Sequence, residues 1–174
     1  MLPTHANTSR LFLALWPKAD IQHTLLSWRD AWGWPSDAAP VRPEALHLTL
    51  HFLGNVPDSR LPDLQQGLKV AFRPFDLSFG HNRLWQHGVA VLEPDAVPDG
   101  LLQLHASLAA ALDDLGLKTE ARTYRPHITF ARNAARATLP AHQNEHSFQW
   151  QVNGYALIRS RDGYSVVRHY DNSD

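Results

Sequence analysis

Leu46-His47-Leu48-Thr49-Leu50-His51-Phe52-Leu53-Gly54 is the stretch that decides how this 174-residue chain folds. Leucine alternates with His47, Thr49 and His51, the two-residue period of a strand, and Gly54-Asn55 followed by Pro57 ends it. Successive side chains of a strand point to opposite faces. His47 and Thr49 therefore share one face, while Leu48 and Leu50 enter a core on the other. His51 has the same parity as His47 and Thr49; it either edges the groove they line or is a solvated strand end.

The pattern occurs twice. Pro126-His127-Ile128-Thr129-Phe130-Ala131-Arg132 repeats His-apolar-Thr-apolar, and proline closely precedes both copies, at Pro43 and Pro126. A lone His-x-Thr is expected about half a time by chance in a chain this rich in histidine, so the pair is informative where one copy is not. His105-Ala106-Ser107-Leu108 fits a looser form of the motif but falls inside a helical stripe. Residues two apart on a helix diverge, so His105 reads as a helix-surface histidine.

Outward from the two motifs, Arg10 to Trp16 reads as a strand closed by Pro17. Ala19 to Trp32 sets Ile21, Leu25, Trp28 and Trp32 at helical spacing, and Gly33 to Pro43 has loop composition. Asp58 to Phe72 predicts a second helix with Leu61, Leu64, Leu68 and Phe72 on its stripe. Phe75 to Trp85 and Val89 to Leu92 predict paired strands joined at Gln86-His87-Gly88. Leu101 to Leu115 carries the strongest helical stripe and stops at Gly116. Phe148 to Arg159 and Tyr164 to Tyr170 close the chain as a hairpin around Arg161-Asp162-Gly163. Helix, proline-containing loop and histidine-led strand thus recur, and the order argues for an α+β fold with antiparallel sheets.

Composition narrows the chemistry. Hydrophobic residues make up 44%, enough for a core in one compact domain or two small lobes. The absence of cysteine excludes disulfides, thiolate metal sites and cysteine nucleophiles. Sixteen basic and 17 acidic residues leave a net charge of −1, so no broad positive field draws in long nucleic acid, and any such contact should be local. Apolar runs fall short of a membrane span and the N-terminus lacks a secretory pattern; a cytoplasmic monomer with no membrane partner is expected.

Histidine chemistry remains, and it suits phosphoryl transfer. If the two strands lie side by side about a pseudo-twofold, the imidazoles of His47 and His127 face each other across a small cavity. A neutral ring can take a proton from water while a charged ring gives one to a leaving oxygen, with no metal and no cofactor required. Thr49 and Thr129 would hold the non-bridging phosphate oxygens. Arg132 is the candidate guanidinium, but its parity opposes His127 unless the strand ends or bulges near Ala131. Trp28 and Trp32 belong to a core stripe. Trp85, at a strand end, could stack on a base, whereas His81, His87, His142 and His146 show no ligand spacing.

Arg10-Leu11-Phe12-Leu13-Ala14-Leu15, the two histidine motifs and the closing Ser160 to Tyr170 pair together resemble the 2H phosphoesterase superfamily. Within it, the chain is most similar to the RNA 2′,3′-cyclic phosphodiesterases, also described as 2′,5′-RNA ligases, over residues 10 to 170. The resemblance implies a LigT-like fold in one bilobal domain, 1–174, in which a duplicated unit forms two pseudo-twofold lobes around a central groove. It implies as substrate an RNA 3′ end or oligonucleotide carrying a 2′,3′-cyclic phosphate, opened by water to a 2′-phosphate and a free 3′-hydroxyl. His47 is then the general acid and His127 the general base. Joining or cleaving 2′,5′ linkages at the same site, or binding phosphorylated RNA ends without catalysis, are the competing functions. Two titrating groups speak for catalysis, since binding alone needs neither.

Overall fold

The computed structural model describes residues 7–141 and 146–172; His142 lies outside them. In chain order the elements are β1 (Thr8–Leu15), α1 (Ala19–Asp30), β2 (Ala39–Pro40), β3 (Leu48–Pro57), α2 (Leu61–Gly67), β4 (Phe75–Trp85) and β5 (Val89–Pro94). They are followed by α3 (Asp99–Asp114), β6 (Ile128–Arg132), β7 (Phe148–Val152), β8 (Gly154–Ser160) and β9 (Tyr164–Asp171). Short 3₁₀ turns lie at Pro43–Ala45, Asp58–Arg60 and Gln86–Gly88.

The strands join one antiparallel sheet in the order β7-β4-β5-β6-β3-β1-β8-β9, with β2 pairing on β6. The order is symmetric about the β3–β6 junction. β1 and β5 flank it, each followed in the chain by a helix, α1 or α3, which leads back to a central strand. The expected duplicated β-α-β unit is therefore present, and its two lobes share a single sheet rather than owning separate ones. Leu48 pairs with Ile128 at the junction. The two motifs meet there.

Alternation directs the core. Leu11, Leu13 and Leu15 of β1, Leu48 and Leu50 of β3, and Ile128 and Phe130 of β6 bury on one face. Against that face α3 sets Leu101, Leu104, Leu108 and Leu112 in its i, i+3, i+4 stripe, all at 1% exposure or less. Each such leucine contributes about 1.5–3 kcal/mol of burial. α3 ends where its sequence says: Gly116 takes φ +73° and the Leu117 amide donates to the Leu112 carbonyl at 2.9 Å. On the other sheet face lies a smaller apolar group, Phe12, Ala14, Ala156 and Ile158 with Trp16 beside it, of which Phe12 reaches a groove. The hairpin around residues 161–163 forms as expected, Ser160 pairing with Tyr164 while Asp162 and Gly163 take φ of 51° and 107°.

Two elements differ from the sequence expectation. The helix expected over Asp58 to Phe72 is regular only from Leu61 to Gly67. The reason is tertiary: the Tyr155 hydroxyl donates to the Leu68 carbonyl at 2.7 Å and accepts from the Val70 amide at 2.9 Å, drawing both groups out of the helical ladder. The strand expected over Phe148 to Arg159 is two strands. β7 pairs with β4 in one lobe and β8 with β1 and β9 in the other, with only Asn153 between them. A connection that short between distant positions of the sheet requires the sheet to curl on itself.

Candidate active site

Each motif histidine stands one residue ahead of its strand, held by the turn before it. The His47 Nδ1–H donates to the Ala45 carbonyl at 2.6 Å, at the end of the Pro43–Ala45 turn, and the His127 Nδ1–H donates to the Arg125 carbonyl at 2.8 Å across Pro126. A carbonyl only accepts, so in the neutral ring the proton sits on Nδ1 and Nε2 is left with a free lone pair. At His47 the Thr49 hydroxyl donates to Nε2 at 3.0 Å. One step either side of the Leu48–Ile128 pair, the antiparallel register sets His47 across from Thr129 and Thr49 across from His127. Both histidines and both threonines line one groove of about 710 Å³, a size suited to a small organic ligand.

Two bulges complete the groove. Leu13 pairs with His51 but Ala14 with Thr49, so Leu50 is an extra residue in β3; Ala90 pairs with Ala131 but Val91 with Thr129, so Phe130 is an extra residue in β6. The two bulges fall at the same motif position. After each, parity inverts. Arg132 thereby returns to the face of His127 and Thr129 and lines the groove, as the sequence required of it. Phe52 holds the equivalent place in the other lobe, 50% exposed along the groove.

The β3 bulge corrects the reading of His51. It does not edge the groove: it is 7% exposed on the opposite face, its Nε2–H donates to the His105 carbonyl at 2.8 Å, and its ring stacks on that of His105 at 4.0 Å. His105 is likewise no bare surface residue. Tyr124 covers its other side at 3.8 Å and donates its hydroxyl to the Thr49 carbonyl at 2.9 Å. This column braces the first motif from behind. Trp85 stands against His127, ring centroids 4.4 Å apart, and is not among the groove-lining residues.

The electrostatics of the two rings differ. His47 lies among Phe12 at 4.9 Å, Trp16 at 5.4 Å and the edge-on Tyr164 at 5.5 Å. Desolvation there lowers its pKa to about 4, against the partial support of the Ala45 carbonyl, and the charge of His127 lowers it further. His127 is also lowered from 6.5 by desolvation. The Arg125 carbonyl and the Glu93 carboxylate oppose that shift, whereas the guanidinium groups of Arg125 and Arg132 add to it.

A family model described as the 2′-5′ RNA ligase superfamily matches residues 17–163. The chain belongs to this superfamily. It is 33% identical to the RNA 2′,3′-cyclic phosphodiesterase of Escherichia coli over 92% of this chain and 95% of that one. It is also 33% identical to the protein of the same name from Thermus thermophilus, over 87% and 81%. The fold is similar to that of E. coli LigT solved with 3′-AMP, with a TM-score of 0.79 and 26% identity over 97% of this chain and the whole of that one.

Within this family member, the sequence located His47, Thr49, His127, Thr129 and Arg132, and the fold brings all five to one groove. It missed Phe52 and Tyr164 as groove residues. Superposing the two motifs would have found Phe52, because it occupies the place of Arg132; Tyr164 had no local signal, since only the β8–β9 pairing carries it to the site.

Proposed function

We propose that this chain hydrolyses RNA 2′,3′-cyclic phosphate ends to a 2′-phosphate and a free 3′-hydroxyl. The observation that carries the reading is the matched wiring of His47 and His127, each tied through Nδ1 to a backbone carbonyl and leaving Nε2 for chemistry. His127 takes a proton from water as its oxygen attacks phosphorus; the bond from phosphorus to the 3′-oxygen breaks, and His47 gives that oxygen its proton. The resting proton of the pair favours His127, so the productive arrangement, with the proton on His47, is the minor but more reactive one. Desolvated His47 makes the stronger acid, and Glu93 supports His127 as the stronger base.

Thr49 and Thr129 hydrogen-bond the non-bridging oxygens, and Arg132 offsets the charge growing on phosphorus. Phe12, Phe52 and Tyr164 offer an apolar wall on the His47 side for the terminal nucleobase; LigT, of similar fold, has been solved with 3′-AMP. We read the chain as one bilobal domain that works as a monomer in the cytoplasm; among the described residues no helix is long and apolar enough to cross a membrane.

The family's name supports a second reaction in the same groove: a 5′-hydroxyl replaces water as nucleophile and forms a 2′,5′ linkage. The deciding experiment incubates the protein with a short RNA ending in a 2′,3′-cyclic phosphate and identifies the product. A 2′-phosphate is expected. A 3′-phosphate would reverse the leaving oxygen, a joined product on adding a 5′-hydroxyl RNA would establish ligation, and recovery of unchanged RNA would leave only binding.

A further inference from the structure

The two histidines hold the same backbone hydrogen bond yet sit in unlike surroundings, and on the His127 side these include residues outside the groove. The Trp85 indole bears on the His127 ring at 4.4 Å, tilted by 55°. Two residues hold that indole in turn. Its Nε1–H donates to Glu93 Oε1 at 2.6 Å, Arg125 donates to the same oxygen at 2.6 Å, and the Arg125 guanidinium lies 4.3 Å from the indole centroid. The second carboxylate oxygen of Glu93 meets Arg83 at 3.5 Å. With its side chain only 16% exposed, Glu93 is far less solvated than its cationic partners, at 57% and 60%. Neighbouring strands supply the unit: Arg83 and Trp85 come from β4, Glu93 from β5, and Arg125 from the segment leading into β6. Among the described residues nothing equivalent backs His47, which packs among Phe12, Trp16 and Tyr164.

We propose that Trp85 and Glu93 form a positioning unit for His127, the indole fixing the tilt of the imidazole and the carboxylate behind it favouring the ring's protonated form. The unit makes the two histidines unequal. Arg125 closes it: its carbonyl accepts from Nδ1, its guanidinium covers the indole, and it pairs with Glu93 at 2.6 Å. The charged and titratable groups that face His127 are thus Glu93 in one direction and Arg125, Arg132 and His47 in the other, with Arg83 acting through Glu93. Among the charged side chains in this set, only Glu93 pulls a proton toward the ring, adding to the Arg125 carbonyl. This inference rests on His127 working in proton transfer.

The test uses the full chain carrying Glu93→Gln, Trp85→Phe or Trp85→Ala, with NMR titration of the His127 ring beside kcat and KM on an RNA ending in a 2′,3′-cyclic phosphate. Glu93→Gln keeps an acceptor for the indole but removes the charge. It should lower the pH at which His127 titrates by several tenths of a unit, move His47 less, and carry one limb of the pH–rate profile down with it. Trp85→Ala should lower kcat by about tenfold or more with a smaller change in KM, and Trp85→Phe, which keeps a ring against His127, should recover part of the loss. An unchanged His127 titration in Glu93→Gln, or wild-type kcat in a folded Trp85→Ala protein, would overturn the proposal. If Trp85→Ala does not fold, the phenylalanine and glutamine variants decide. Failure of the wild-type chain to open the cyclic phosphate sinks the functional reading instead, and the NMR titration still decides this one.

Discussion

At the scale of single residues, the two motif histidines, proposed as acid and base, are set apart by the partner of Nδ1. His47 and His127 each spend that nitrogen on a carbonyl two residues earlier, which fixes the tautomer and aims Nε2. His51 spends its Nε2 on the His105 carbonyl and lies on the opposite face of the strand, away from the groove. Replacing His47 or His127 with alanine should therefore lower kcat by about 10²–10⁴ while thermal unfolding stays near wild type; steady-state rates and circular dichroism check both. The double variant should fall little below the worse single one, because acid and base act as a unit. The pH dependence follows from two depressed affinities. The reaction needs one ring charged and one neutral, and with His47 at about 4 and His127 below 6.5 the singly protonated pair exists on the acidic side of 6.5. As pH rises past that window the last proton leaves. A plot of kcat/KM against pH should be a bell with its maximum below 6.5, and kcat should peak higher because a bound phosphate anion favours charged imidazole. A kcat/KM plateau lasting to about pH 8 would contradict the assignment.

Among elements, the two bulges decide which side chains the groove receives. A strict two-residue alternation would place His51 in the groove and Arg132 outside it; one extra residue, Leu50 in β3 and Phe130 in β6, exchanges both. A bulge leaves no local composition signal, so the sequence could require one for Arg132 but could not find the matching one that removes His51. The end of α2 is tertiary in the same way. Tyr155→Phe removes one hydroxyl that serves two backbone groups and should cost about 1–3 kcal/mol, read as a lower denaturation midpoint with little change in kcat. An unchanged midpoint would mean water replaces the hydroxyl and that Tyr155 does not set the end of the helix.

For the whole molecule, near-neutral charge and a small groove predict recognition of an RNA terminus. With Arg10, Arg42 and Arg132 the guanidinium groups along the groove, and Glu44 and Asp162 opposing them, the fall of log(kcat/KM) with log salt should have a slope of about one to two. A slope near six would instead demand a long basic track. What the sequence alone determined is the repeated unit: proline, histidine, alternation and threonine are local, and local periodicity specifies faces. It named five groove residues, the α+β class and the recurrence of helix and strand before any contact was known. The pairing of β3 with β6, the two parity inversions, the split of residues 148–159 between lobes and the unlike settings of the two histidines depended on tertiary structure. Each of them joins residues far apart in the chain, where no local pattern reaches, and long-range burial and hydrogen bonding choose among arrangements that the local sequence leaves equal.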